Sequence, residues 1–207
     1  MRPLPRLHAV TDGEVLAAAD FGVRAAAIAA AGPAVALHAR DRRAGGAVLA
    51  RATARLLALA GPPEAAVFVS GRPDVAAALG AHGVQLAAGD LAPADARRVL
   101  AHGWIGRSVH DLAEAMAAAA DGADFLLVGN VYPTASHPGR PGAGLGLVRS
   151  SAALGLPVIA IGGIDAARAV EVREAGAYGV AAIAALWHAP DSAAAALALL
   201  APWAEAA

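Results

Sequence analysis

The chain has 207 residues, 58% of them hydrophobic, with no cysteine and a formal net charge of −1. This length fits one domain with a large core, and the missing cysteines exclude disulfides and thiolate metal sites. The balanced charge gives no broad pull toward nucleic acid or anionic membrane, no uncharged run reaches the ~18 apolar residues of a spanning helix, and Met1 to Asp12 lacks a secretion signal, so a cytoplasmic protein is expected.

Short apolar runs alternate with alanine-rich amphipathic stretches, the pattern of βαβ units around a parallel sheet. The first strand is predicted at Leu7–Val10, followed by a helix over Glu14–Ala31. Val35–Ala39 leads into a helix at Ala47–Leu59. Ala66–Val69 precedes Pro73–Ala81, whose proline suits a first helical turn. A very short strand at Val84–Leu86 is followed by a helix at Pro93–Ala101, and Trp104–Ser108 by one at Leu112–Ala120. Phe125–Val128 ends at Gly129 and opens a long loop, with a helix near Leu147–Ala153 beyond it. Pro157–Ile161 precedes Ala166–Ala175, and Gly179–Ile183 precedes the last helix at Ser192–Ala204. Eight strand–helix units close most naturally as a single-domain (β/α)8 TIM barrel over residues 1–207, with an open doubly wound sheet as the alternative.

In a barrel the site lies at the carboxyl ends of the strands. The chain has no lysine, one asparagine (Asn130), one glutamine (Gln85) and three threonines, and most of these scarce polar residues fall at those ends. In order, the ends carry Thr11 and Asp12; His38, Arg40, Asp41 and Arg42; Ser70 and Arg72; Gln85 with Asp90 beyond it; then Ser108 and His110. The long loop adds Asn130, Tyr132, Thr134, Ser136, His137 and Arg140. A Pro/Gly-rich loop of this length inside a compact domain is expected to be functional.

Histidine suits proton transfer near neutral pH. His110 is read either as that group or as a cap of the next helix, and His137 as a ligand contact or a solvated side chain. His38 and Arg40 share strand parity, which directs both to the barrel mouth. His8, His82, His102 and His188 are assigned to packing or surface. Arg40 and Arg42 suit a phosphate or a carboxylate. The loops after the last two strands, at Gly162-Gly163 and Ile183-Ala184, offer mostly backbone amides, and in barrels this pair of loops frequently binds phosphate. No His/Asp/Glu spacing forms a metal cage; Asp90 alone could hold Mg2+ through water and a substrate phosphate.

Five segments in order carry a resemblance. They are Leu7-His-Ala-Val-Thr-Asp12; Leu37-His-Ala-Arg-Asp41; Val69-Ser-Gly-Arg-Pro-Asp-Val-Ala76 with Gly83-Val-Gln-Leu86; Ile105-Gly-Arg-Ser-Val-His110 with Gly129-Asn-Val-Tyr-Pro-Thr134; and Pro157-Val-Ile-Ala-Ile-Gly-Gly-Ile164. Over nearly its whole length the chain resembles the thiamine phosphate synthase/TenI superfamily, which implies a TIM barrel, a thiazole phosphate substrate and a role in thiamine biosynthesis. The synthases join a pyrimidine diphosphate to thiazole phosphate and displace pyrophosphate with Mg2+. The resemblance puts Arg40 and Arg42 at the diphosphate and Asp90 at the metal. It leaves Gly71 where a second metal carboxylate is expected, and His137 in place of a family lysine. TenI-type proteins instead aromatise a carboxythiazole phosphate by moving a proton, without metal. Gly71, the first segment and Ile105-Gly-Arg-Ser-Val-His110 are closer to that branch. Its proton-moving histidine corresponds to Asn130, which can orient a substrate but cannot shuttle a proton.

The expectation is therefore a thiazole tautomerase-like isomerase that requires no cofactor. His110 or His137 moves the proton, Ser108 and Asn130 orient the ring, and Arg40 faces the carboxylate. The amides of Gly162, Gly163, Ile183 and Ala184 hold the phosphate, with His38, Arg42, Ser70, Gln85, Thr134 and Ser136 lining the pocket. The alternatives are a Mg2+-dependent thiamine phosphate synthase and a non-catalytic thiazole phosphate-binding barrel. A small-molecule partner is expected, with no nucleic acid and no membrane, and homodimerisation is left open.

Overall fold

A computed structural model describes residues 2–61, 64–134, 139 and 141–204. Its strands are β1 (Leu7–Val10), β2 (Val35–Ala39), β3 (Ala66–Ser70), β4 (Gly83–Leu86), β5 (Trp104–Val109), β6 (Phe125–Gly129), β7 (Val158–Ile161) and β8 (Gly179–Ala182). Each pairs in parallel with the next, and β8 returns to β1 with Val180 opposite Leu7, closing the barrel. The open-sheet alternative is thereby excluded.

The strands are apolar on both faces, as strands buried between helices and a filled interior must be. Alternate residues such as Leu7, Leu37, Val67, Leu126, Val158 and Val180 point outward into the core under the helices. The opposite set fills the barrel, where the rings of His8, His38, Phe68 and Phe125 meet at centroid separations of 5.0–5.9 Å. Glycine makes that packing possible: a Cβ at Gly83 would lie 2.5 Å from the Phe68 ring, and one at Gly106 would overlap Phe125. The floor is closed by the N-terminal segment. Tyr178 donates to the Leu4 carbonyl at 2.8 Å, Trp104 Nε1 to that of Arg2 at 3.2 Å, and Arg6 lies over the Tyr178 ring.

The helices are α1 (Gly13–Ala17), α2 (Phe21–Ala29), α3 (Gly46–Leu59), α4 (Pro73–Leu79), α5 (Pro93–Val99), α6 (Leu112–Ala120), α7 (Gly144–Ala152), α8 (Ala166–Glu174), α9 (Ala184–Trp187) and α10 (Ser192–Ala204). Two depart from the sequence expectation. The helix expected over Glu14–Ala31 is broken at Ala18, whose ψ of 138° is extended, and restarts behind Asp20. The break lets Phe21 stack on Trp187 at 5.6 Å. The last strand stops at Ala182, so that Ile183 instead precedes the short α9.

Candidate active site

The carboxyl ends of β1 and β2 are bolted together by one hydroxyl. Thr11 Oγ1 donates to the His38 carbonyl at 2.8 Å and accepts the Arg40 backbone N–H at 2.9 Å. The Arg40 guanidinium reaches back toward the Thr11 carbonyl at 3.4 Å. Burial, and then the neighbouring Arg42, make its charge less favourable than usual, which pulls its pKa below the ordinary arginine value. Asp12 and Asp41 favour that charge and offset part of the loss, so two arginines and two aspartates share this corner of the mouth.

Further round, Gln85 on β4 donates through Nε2 to Ser108 Oγ on β5 at 3.0 Å. Ser70 is the register partner of Gln85 on β3, and both Ser70 Oγ and Gln85 Oε1 are shielded from solvent without a hydrogen-bond partner. His38 does not sit at the rim. It is fully buried within the barrel, stacked on Phe68, with Nε2 2.8 Å from His8 Nδ1. The physical reason is register: His38 pairs with Phe68, two residues before the end of β3. Burial drives both imidazoles toward neutrality; His8 is pushed down to about 4, and His38 is held well below its usual value. His8 is therefore a barrel-interior residue. Strand alternation, which pointed His38 inward, would have found it too.

On the opposite flank, Gly162 and Gly163 follow β7 with φ of +101° and +67°. They press against the start of the long loop. A Cβ at Gly162 would lie 2.5 Å from Asn130 Cβ, and one at Gly163 would lie 2.9 Å from Tyr132 Cβ. Val131 N donates to the Ile161 carbonyl at 2.8 Å and Tyr132 N to that of Gly162 at 3.1 Å, which extends β6 pairing beyond the strand. Two side chains missed by sequence reasoning, Glu171 and Arg168, hold this segment. Tyr132 OH donates to Glu171 at 2.7 Å, Arg168 lies over the Tyr132 ring at 4.6 Å, and Arg168 donates to the Gly163 carbonyl at 2.6 Å. Burial and the bond to Glu171 raise the Tyr132 phenol to about 12, so it stays protonated. The i, i+3 spacing of Arg168 and Glu171 on α8 was the available signal.

The remaining candidates divide. Asn130 donates through Nδ2 to the Tyr132 carbonyl at 3.2 Å and so braces its own loop. Thr134 is half-buried in the same segment, while Ile183 and Ala184 open α9. His110 is half-exposed, and both its backbone N–H and its Nδ1 meet Glu114 Oε2, at 2.8 and 3.0 Å, beside the N-cap Asp111. The cap of α6 is Asp111, and His110 precedes it, paired with Glu114 instead of capping the helix itself. Ser136, His137 and Arg140 lie outside the described residues. Asp90 curls over the β3–α4 turn: Oδ2 accepts the Ala87 N–H at 2.7 Å, and Oδ1 would be 3.0 Å from a Cβ at Gly71. Among the described residues, no three His, Cys, Asp or Glu side chains cluster as a metal cage.

The family model for thiamine monophosphate synthase matches residues 7–186, from β1 through α9. The chain belongs to that family. The thiamine-phosphate synthase of Thermus thermophilus is 48% identical over 147 residues, 70% of this chain and 71% of its own. That of Methanoculleus marisnigri is 40% identical over 196 residues, 93% and 92% of the two chains. The solved thiamine phosphate pyrophosphorylase from Pyrococcus furiosus superposes with a TM-score of 0.81 at 33% identity, covering 95% of this chain and 94% of its own. A 3-hexulose-6-phosphate synthase, 22% identical with a TM-score of 0.68, shares the fold. Family membership makes the chain a thiamine-biosynthesis enzyme. These family relatives are named for the synthase reaction, which shifts the weight away from the TenI branch that the motifs favoured. No helix among the described residues is long and apolar enough to cross a membrane.

Proposed function

We propose that the chain is a thiamine phosphate synthase, coupling a hydroxymethylpyrimidine diphosphate to a thiazole phosphate. One observation carries this reading: relatives 48% and 40% identical to the chain are named for the synthase reaction, and the part-buried Arg40, with Arg42 near it, stands at the mouth. Clustered guanidiniums are relieved by an anion of high charge, and a diphosphate meets that need better than one carboxylate. The reaction also needs no proton relay. The thiazole nitrogen donates its electron pair to the pyrimidine methylene carbon, the carbon–oxygen bond breaks, and pyrophosphate leaves with that bond's electrons. This suits a mouth in which Asn130 stands at the strand-six position and His110 is paired with Glu114.

The arginines would grip the departing diphosphate while the Gly162–Gly163 turn takes the thiazole phosphate on the opposite flank, so the two reacting rings meet between them. Asp90 fits Mg2+ as a single carboxylate, because Oδ2 is tied to a backbone amide and Oδ1 remains for an ion otherwise held by water and substrate phosphates. Bound there, Mg2+ would supply neutralising charge to the leaving group.

The test is pyrophosphate release from the two substrates with Mg2+. Coupling that disappears on chelation, with no acceleration of carboxythiazole phosphate aromatisation, is the expected result. Aromatisation without coupling would overturn the assignment in favour of a tautomerase.

A further inference from the structure

Where β7 ends, three successive carbonyls are taken from one flank. Val131 N–H donates to Ile161 at 2.8 Å and Tyr132 N–H to Gly162 at 3.1 Å, both from the loop that continues β6. The next residue along that loop is Pro133, which has no N–H to give. The Gly163 carbonyl is met instead from α8, by the Arg168 guanidinium at 2.6 Å. Successive residues of a regular strand alternate in direction; the φ of +101° at Gly162 and +67° at Gly163 bring these three carbonyls round together.

A trans peptide sets its N–H opposite its C=O. Holding the carbonyls of residues 161, 162 and 163 toward the loop and α8 therefore turns the N–H groups of Gly162, Gly163 and Ile164 the other way, toward the mouth beside the end of β8. None of these three meets a backbone acceptor among the described residues. Successive amides presented by such a turn form a cradle for an anion. Two of the opposed carbonyls are held by backbone, whereas the third, which aims Ile164 N–H, depends on a side chain. That side chain is itself located. Arg168 lies over the Tyr132 ring at 4.6 Å, and Glu171, one turn further along α8, accepts the Tyr132 hydroxyl at 2.7 Å.

We propose that Arg168 is a positioning residue: by taking the carbonyl that Pro133 cannot, it aims the Ile164 N–H, and with it the amide turn, at the phosphate of the thiazole substrate. The identity of that anion rests on the synthase reading; the aim of the amides does not. Arg168 acts through the backbone, since its Nη1 is spent on Gly163 and its plane covers a ring. Its loss should therefore loosen the thiazole phosphate and leave the diphosphate on the opposite flank untouched.

Backbone 15N resonances of the full-length protein test this without turnover. The Gly162, Gly163 and Ile164 amides should shift when thiazole phosphate or inorganic phosphate is added, and stay in place with the thiazole alcohol. Arg168→Met keeps an apolar stem beside Tyr132 but has no donor. It should raise the Kd for thiazole phosphate about tenfold, the scale of one hydrogen bond from a charged donor. Arg168→Lys, which keeps a donor on a long stem, should recover most of that loss. The tenfold ratio should persist in about 0.5 M KCl, where screening confines attraction between separated charges to about 4 Å. In the coupling assay, Arg168→Met should raise the KM for the thiazole phosphate and not that for the pyrimidine diphosphate. Amides that ignore both phosphates, a ratio that collapses in salt, no recovery in Arg168→Lys, or an equal rise in both KM values overturns the proposal. The same amide response and the same dependence on Arg168 in a protein that fails to couple the substrates would instead sink the synthase reading alone. Should the variants not fold, the wild-type guanidinium decides: its Nη–H signals should be protected from exchange before ligand is added and move less than Ile164 N–H on binding, and the reverse overturns the proposal.

Discussion

Replacing Gly162 with alanine strikes the joint between β7 and the long loop. The backbone there has φ +101°, and the new Cβ would lie 2.5 Å from Asn130 Cβ and 2.7 Å from Asn130 Cα. Neither atom can move away by changing a rotamer, since both belong to or adjoin the backbone. An L residue in so sparsely populated a conformation costs about 1–3 kcal/mol, and overpacking a tight contact costs about 1–3 kcal/mol more. The sum, roughly 2–6 kcal/mol, should lower Tm by about 4–24 °C in a domain of this size. It should also open the Val131–Ile161 and Tyr132–Gly162 hydrogen bonds and raise the KM for the thiazole phosphate. Gly146→Ala is the paired control: that glycine is helical, exposed and has nothing within 4 Å of its would-be Cβ. Alanine there should stabilise by about 0.5–1 kcal/mol. Thermal unfolding of both variants decides. A Gly162→Ala protein within 2 °C of wild type (a span of about 0.5–1 kcal/mol) would refute the close packing of the two loops.

Acid should weaken the fold through the buried imidazole pair. The unfolded chain takes up a proton at His8 below pH 6.5, which the folded state refuses until about pH 4, so stability is full above 6.5 and falls between those limits. That gap is worth about 3 kcal/mol, and His38, shifted the same way, adds to it; urea unfolding at pH 7 and 5 should show the slope, and His8→Phe should reduce it. Arg40→Ala should leave Tm within about 2 °C, as a loss at the rim below 1 kcal/mol would, yet cut kcat/KM for the pyrimidine diphosphate about 10–100-fold, the scale of a charged hydrogen bond; an unchanged rate would remove Arg40 from the site. Asp124→Asn should cost about 1–2 kcal/mol, because Oδ2 there both pairs with Arg97 at 2.5 Å and accepts the Ile105 N–H at 2.7 Å, and a loss below 0.5 kcal/mol, the ordinary surface value, would refute that coupling.

The barrel was legible because its signals are local. Apolar runs such as Phe125–Val128 and Val35–Ala39 form strands within a residue or two of where patterning put them. What escaped depended on partners distant in sequence. The break at Ala18 follows from the Phe21–Trp187 stack, which no window around Glu14–Ala31 contains. His8 lay on the inward face, yet its role depends on His38 and on the Pro5 carbonyl. His110 could be read two ways because the sequence Asp111–Glu114 is a good cap and the histidine stands beside it. The rim residues Arg40, Gln85 and Ser108 were found because polar side chains are scarce in this chain. The choice between branches was not legible: Gly71 spoke for one, whereas the relatives are named for the other.

The N-terminal segment has a kinetic consequence. With Leu4 and Arg6 tied to Tyr178 beneath the rings, the barrel is a cup with one lip rather than a tunnel. Whatever binds deepest in such a cup enters first and leaves last, so passage over the lip orders every exchange with solvent.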